Sequence, residues 1–371
     1  MKMEPSCPKR NAVLRYAPPI WRELTKEVAT RRVIHGESLA VHGIAGTGKT
    51  TYIKGLVEEL KGLGKKIDIC AKTHTASARA GGCTADHFVR RHVMHGACSA
   101  DAIWIEEFSQ IESVLWAQFN KPEGLSWLLS GDLNQFPPFF DSWHGAPVHE
   151  NAFRDSSFFH YLAGGNRLTL TEGHRSDMEL FNFYSSLIAG GERFTQPLSE
   201  VLEAARALTG FEGPARHNLV ISHRRRVLLN RQLNKAFLPQ GVTPVFIRCK
   251  AKRGQTCVAQ NLFIWPGIAL LGCVQSTRKS IRNNVLYRVT ALGEDTATLE
   301  PAEGEGNAVE LTLPQVGEWL RLSYSRTYAS IQGTEFADTV RLHDTTNPHF
   351  SMKHLFVSMS RARECSKLSV T

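Results

Sequence analysis

The chain has 371 residues, 42% hydrophobic and 21% charged, so it can bury two separate cores and is too apolar to remain disordered. Lys and Arg total 44 against 35 Asp and Glu, a formal charge of +9 that suits a polyanionic partner without requiring one. No run of 18 apolar residues, no N-terminal signal pattern and no Cys-x-x-Cys among eight cysteines occur, so neither a membrane span nor a disulfide framework is expected. The pattern predicts free thiols in an intracellular compartment, cytoplasm or nucleus.

Residues 1–37 form a mixed N-terminal segment, with a helix predicted over 21–30 after the Pro18-Pro19 break. From residue 38 the pattern alternates: a strand over 38–42, a helix over 49–60, and strands over 66–71, 102–105 and 125–130. Such alternation predicts an α/β domain with a parallel sheet, assigned to residues 38–145. Residues 140–170 read as a connection. A second α/β domain over 146–371 starts with a helix at 178–189, a strand at 218–222 and a basic helix at 224–236. It closes with a strand and helix over 354–363 and a strand over 367–370. The stretch 243–320, rich in Val, Thr and Gly, reads as a small antiparallel β insertion.

Gly43-Ile-Ala45-Gly46-Thr47-Gly48-Lys49-Thr50 fits the P-loop pattern, and it lies between a predicted strand and the opening of a helix. Glycines there allow backbone N–H groups to wrap phosphates, and the helix N-terminus adds positive potential. Lys49 is the candidate for the β/γ-phosphates and Thr50, followed by Thr51, for Mg²⁺. The apolar strand Ala102-Ile-Trp-Ile ends in Glu106 and Glu107, where a nucleotide hydrolase keeps its metal-holding acid and its water-polarising acid. Five residues, Cys83, His87, His92, His95 and Cys98, crowd one stretch, but their spacing matches no common zinc finger.

With Leu128-Leu-Ser-Gly131-Asp132-Leu-Asn-Gln135-Phe-Pro137-Pro138 the pattern becomes specific. Gly-Asp-x-x-Gln-x-Pro-Pro after a P-loop and an acidic pair resembles motif III of superfamily 1 helicases, most closely the RecD-like and Pif-like branch and its viral members. The other motifs then follow in family order. Ala71-Lys-Thr73-His74-Thr-Ala-Ser77 resembles motif Ia, and Thr84-Ala-Asp-His87 the short motif after it; in the family both touch the single strand. Leu170-Thr-Glu-Gly-His-Arg175 resembles motif IV, and Phe356-Val-Ser-Met-Ser-Arg361 resembles motif VI. Tyr324-Ser-Arg-Thr327-Tyr-Ala-Ser330-Ile-Gln-Gly333-Thr-Glu resembles motif V. The resemblance covers roughly residues 38–366. It implies two RecA-like P-loop domains with parallel sheets, a small β-barrel inserted in the second, and ATP with Mg²⁺. Gln135 would sense the γ-phosphate while Arg175 and Arg361 reach it from the second domain. Thr73, His74, His87, Thr327 and Ser330 would touch the strand. The partner implied is single-stranded DNA, with RNA possible, for a monomeric motor of 5′-to-3′ polarity that works with replication proteins and has no membrane role.

Departures from the family pattern carry expectations of their own. Motif II begins with Glu106 in place of Asp, motif V lacks His-Lys before Ser-x-Gln-Gly, and no Gln precedes the P-loop to read adenine. Between His87 and Glu106 there is little room for the insertion that forms a strand-separating pin, so at most a short hairpin is expected around 92–97. Phe139, Phe140 and Trp143 are candidates for base stacking, although such aromatics are more often core, and the helix bearing Arg224, Arg231 and Lys235 is a candidate for phosphate contact, which a solvated face explains equally. Two alternatives stay open: a helicase of the positive-strand RNA virus type, and a nucleic-acid-binding protein that uses ATP only as a switch.

Overall fold

The fold is seen in a computed structural model that describes residues 19–94, 98–119, 124–149, 152–188, 194–249, 260–274, 281–302 and 306–371. The first unit runs β1 (Arg22–Glu23), α1 (Lys26–Ile34), β2 (Leu39–Gly43), α2 (Lys49–Gly62), β3 (Ile67–Ala71), α3 (His74–Ala80), β4 (Cys83–Thr84) and α4 (Ala85–Phe88). It continues with β5 (Ala102–Glu106), α5 (Ser113–Gln118), β6 (Ser126–Gly131), a hairpin of β7 (Ser142–Trp143) and β8 (Ala146–Pro147), α6 (Ser157–Leu162) and β9 (Asn166–Leu170). Among the described residues the main sheet is ordered β1-β9-β2-β6-β5-β3-β4, and every pairing in it is parallel. Parallel order brings the C-terminal ends of β2, β3, β5 and β6 to one edge, where ligands of open α/β sheets bind.

Two differences from the sequence reading follow from the same cause. Residues 166–170 are not connection: they form β9, which sits beside β2, so the first sheet reaches well past residue 145. Residues 22–23 do not join the helix expected over 21–30 but extend and pair with β9, and the helix starts at Lys26, where the Thr25 side chain accepts from the Val28 N–H. In both places sheet pairing overrides a weak local preference.

Both faces of this sheet are covered. One buries Val41, Ile53, Leu56, Trp104 and Leu128, the other Ile103, Phe108, Trp127, Leu129 and Phe159. Each fully buried side chain of this kind contributes roughly 1.5–3 kcal/mol. Trp104, with no solvent exposure, donates its indole N–H to Ser130 Oγ at 2.7 Å and so locks β5 to β6 next to the acids.

The second unit opens with α7 (Met178–Ser186), α8 (Leu198–Leu208), β10 (His217–Val220) and α9 (His223–Ala236). The insertion follows: β11 (Val245–Ile247), β12 (Leu262–Ile264), β13 (Ala269–Gly272), β14 (Leu286–Leu292), β15 (Thr296–Pro301), β16 (Val309–Thr312), α10 (Leu313–Trp319) and β17 (Leu320–Leu322). The chain returns through β18 (Ser325–Thr327), β19 (Val340–Leu342), α11 (Met352–Met359) and β20 (Leu368–Val370). The parallel sheet is ordered β18-β10-β19-β20, and the insertion is a curled antiparallel sheet ordered β16-β15-β14-β13-β17 over its own apolar core. The basic helix α9 turns out not to be solvated all round. It buries Arg226, Asn230 and Asn234, and Asn230 bonds the backbone of Leu322 and Ser325, which fixes the insertion to β18. No helix among the described residues is long and apolar enough to cross a membrane.

Candidate nucleotide and strand site

The P-loop follows β2 and wraps the start of α2. Gly43, Gly46 and Gly48 have φ of +150°, +87° and +82°, conformations that side chains resist. A Cβ on Gly43 would lie 2.5 Å from the Leu170 carbonyl oxygen, and one on Gly46 would lie 3.0 Å from Arg175 Cβ. The loop therefore passes tightly beneath the segment leaving β9. Because β9 pairs with β2, that segment emerges over the P-loop: the His174 N–H donates to the Gly46 carbonyl at 2.8 Å, and Tyr184 Oη donates to the Ala45 carbonyl at 3.2 Å. Helix α2 begins at Gly48 without a side-chain cap, which leaves its first N–H groups for an anion. Thr47 is buried and bonds the Ile44 carbonyl, whereas Thr51 is exposed on α2.

Lys49 Nζ donates to the Gly43 and Ile44 carbonyls at 2.7 and 2.8 Å. Burial lowers its pKa to about 8, with Arg175 and Arg361 pushing the same way against Asp132 and Glu106. Thr50 Oγ1 donates to Glu106 Oε1 at 2.5 Å, and Ser130 Oγ donates to Glu106 Oε2. Glu107 adopts φ +53°, a left-handed conformation uncommon for a carboxylate residue, and its Oε2 accepts from Gln110 Nε2 at 2.7 Å. Glu106 and Glu107 are 3% and 8% exposed, so both acids depend on these partners.

The second unit completes the site. Arg361, 2% exposed, donates from Nη2 to Gln135 Oε1 at 2.5 Å, and Gln135 Nε2 donates to Asp132 Oδ2 at 3.3 Å. Burial lowers the Arg361 pKa to about 10, and the neighbouring Arg175 adds to this. Arg175 bonds the Ser360 carbonyl and pairs with Glu335 at 3.3 Å. Gly333, at φ +75°, sits so close that a Cβ there would be 3.7 Å from both Glu107 oxygens. Lys49, Thr50, Glu106, Glu107, Gln135, Arg175, Arg361 and Gly333 thus converge on one cleft.

The expected strand contacts gather beside it. Thr73 caps α3 by accepting from the Ala76 N–H, the His74 pKa is lowered by burial and then by Arg282, and His87 is exposed on α4. Ser330 Oγ donates to the Thr327 carbonyl at 2.9 Å. Asn284 from the insertion joins the two groups: its carbonyl accepts from Thr75 Oγ1 at 3.4 Å and its Nδ2 donates to the Ser330 carbonyl at 2.9 Å. Phe139, Phe140 and Trp143 are 64%, 93% and 45% exposed, so they are not core residues.

Four residues escaped the sequence reading: Arg79, Gln110, Ser130 and Asn284. Arg79 had the clearest signal, a basic residue two positions beyond motif Ia on the same helix. Among the described residues no three His, Cys, Asp or Glu side chains gather as a metal site; His95 of the Cys/His-rich stretch lies outside the described residues.

Residues 25–139 match the family model of an AAA domain. The RecD2 DNA helicase of Deinococcus radiodurans is 26% identical over 357 residues, covering 87% of this chain and 45% of that protein. The PIF3 DNA helicase of Trypanosoma brucei brucei is 27% identical over 146 residues, covering 33% and 18%. The chain thus spans less than half the length of either relative. Among solved structures, Bacteroides Pif1 bound to single-stranded DNA superposes with a TM-score of 0.66 at 18% identity, covering 94% of this chain and 92% of that one. Pif1 from Candida albicans gives 0.66 at 17% identity and 93% coverage of each chain. The fold is that of the Pif1 structures, the matched family model covers the P-loop unit, and the ordered motifs resemble those of RecD- and Pif-type helicases of superfamily 1.

Proposed function

We propose that this chain is a DNA helicase that hydrolyses ATP to translocate along single-stranded DNA, with 5′-to-3′ polarity. The observation that carries this reading is the Arg361–Gln135 bond, which joins a cation of one RecA-like unit to the motif III glutamine of the other at the P-loop. A protein using ATP only as a switch has no need for Arg361 from a second unit or for Arg175 from the segment that joins the two.

The cleft suits a magnesium–nucleotide polyphosphate: burial and neighbouring cations lower the pKa of Lys49 and Arg361, the P-loop N–H groups are uncapped, and Arg361 Nε is buried without a hydrogen-bond partner. Thr50 and Glu106 offer two hard oxygens for Mg²⁺, which would neutralise charge on the phosphates when bound. Lys49, now held by two carbonyls, is placed to swing to the phosphates. Glu107 is placed to orient and deprotonate the attacking water. Arg175 and Arg361 stabilise the charge spreading over the transferred group, a contribution of about 10³–10⁵ in rate where such arginines have been measured. Because Arg361 belongs to the second unit and Arg175 to the segment that leads into it, nucleotide binding draws the units together and phosphate release lets them part. The grips on Thr73 and His74 and on Thr327 and Ser330 then alternate along the strand.

The test is ATP turnover with and without single-stranded DNA or RNA, followed by unwinding of 5′- and 3′-tailed duplexes. DNA-stimulated turnover with opening from the 5′ tail is expected. Stimulation by RNA alone would move the chain to the viral RNA helicase type, and turnover indifferent to any strand would overturn the reading.

A further inference from the structure

Helix α3 carries candidate strand contacts at one end and a guanidinium in the catalytic acids at the other. Its first turn holds His74 and Thr75 behind the Thr73 cap. Its last turn holds Arg79, whose Nη2 donates to Glu106 Oε1 at 3.3 Å and Glu107 Oε1 at 3.4 Å, and whose Nη1 donates to the Gly333 carbonyl at 3.3 Å. One side chain thus holds both acids of the first unit and a motif V carbonyl of the second.

This arrangement engages both oxygens of each acid. Glu107 accepts from Arg79 on one oxygen and from Gln110 on the other, and Glu106 accepts from Thr50, Ser130 and Arg79. A carboxylate that takes a proton from water acts through a charge turned toward that water, and here one guanidinium shared by both acids draws an oxygen of each toward itself. The hold is also incomplete, because Arg79 Nε is buried with no hydrogen-bond partner. An unpaired buried donor is destabilising, which lowers the cost of moving Arg79 elsewhere. Movement has a natural trigger. A seven-residue helix spans only about 10 Å, so a strand pressing on its first turn displaces its last turn with it.

We infer that Arg79 is a strand-responsive restraint on hydrolysis: it ties Glu106, Glu107 and Gly333 together in the strand-free protein and lets go when single-stranded nucleic acid seats on the first turn of α3. The inference rests on the proposed translocase function and names the device by which strand binding reaches the acids. Arg79 acts here as a positioning residue, since its contacts are to the acids rather than to the reacting atoms.

The experiment compares wild type with Arg79→Met, which keeps the stem and removes the fork, and with Arg79→Lys, which keeps the charge but not the two-acid reach. Turnover is measured at saturating ATP with and without single-stranded DNA, and strand affinity is measured without nucleotide. In Arg79→Met, strand-free turnover should rise about tenfold and strand-saturated turnover should stay within about threefold of wild type, so that the stimulation ratio collapses. Arg79→Lys should fall between the two, and strand affinity should not change. Equal loss of both rates with an unchanged ratio would overturn the restraint while leaving the translocase reading intact. A wild type that hydrolyses ATP without any response to a strand would overturn both.

Discussion

Arg361 and Gln135 lie 226 positions apart in sequence and share a bond of 2.5 Å between two RecA-like units. Neither side chain is solvated, being 2% and 7% exposed, so the contact is a buried charge-assisted bond. Its geometry ties the arginine proposed to face the transferred phosphate to the glutamine proposed to sense it. Arg361→Ala should therefore lower kcat by roughly 10²–10⁴, with little change in nucleotide-free strand binding. Adding Gln135→Ala should cost much less than the two single effects combined, because the residues act as a unit. Strictly additive losses in steady-state turnover would show that they act separately.

Lys49 is the second point of attack. Its ammonium rests on the Gly43 and Ile44 carbonyls, so Lys49→Ala should abolish turnover while leaving the melting temperature within a few degrees of wild type. A purified variant with ordinary turnover would refute the P-loop assignment.

Acid sensitivity follows from buried histidines. Burial holds the pKa of His42 at about 3 and those of His217, His343 and His354 at about 4, each depressed from 6.5. The unfolded chain takes up protons below pH 6.5 where the folded chain does not. The stability from keeping these rings neutral is full above pH 6.5 and is lost as pH falls toward 4, by at most about 1.4 kcal/mol per pH unit for each ring. Melting temperature should fall steadily from pH 7 to pH 5. His42→Phe, which keeps the ring against Trp21, Phe108 and Phe159, should make that fall shallower; an identical slope would assign the sensitivity to other groups.

Legibility in the sequence tracked how local each feature is. The P-loop, the acids ending β5 and the glycine–aspartate turn after β6 are short-range patterns, so they stood out before any fold was known. β9 did not, since Asn166-Arg-Leu-Thr-Leu170 alternates like a half-exposed strand and only its pairing with β2 gives it a place in the first sheet. Arg79 and Asn284 matter through partners as far as 254 and 209 positions away, which no local pattern encodes. Phe139 and Phe140 are apolar residues that a composition argument sends to the core and the structure leaves in solvent.

Base choice should be loose. Family members read adenine with a glutamine upstream of the P-loop, and none occurs here. Turnover with GTP, CTP or UTP should lie within about tenfold of ATP, a gap of ~1.4 kcal/mol. A preference for ATP far above that would mean that another residue reads the base.

Unwinding should be weak for a reason that combines sequence length with structure. A motor opens a duplex by pulling one strand while something blocks the other. The expected hairpin around 92–97 has little room: α4 runs straight into a π-helix over Val89–Val93, residues 95–97 lie outside the described residues, and β5 begins at Ala102. The blunt alternative is the turn after motif III. There Phe139 and Phe140 project beside a cleft lined by Lys72, Asp86 and Arg90, and Asp141 fixes the turn by accepting from the Ser113 N–H and hydroxyl at 2.9 Å each. Phe140, at φ +53° and 93% exposed, contributes little to the fold and presents a ring for stacking, worth about 1–3 kcal/mol per base. Phe140→Ala should thus leave the melting temperature and strand-free turnover unchanged, weaken strand affinity severalfold, and reduce the already short unwinding from a 5′ tail. Efficient opening of a long duplex by the wild-type chain from a 3′ tail alone would refute both the polarity and the missing-pin argument. Unwinding untouched by Phe140→Ala would instead leave the curled insertion over residues 243–320 as the remaining candidate for the block.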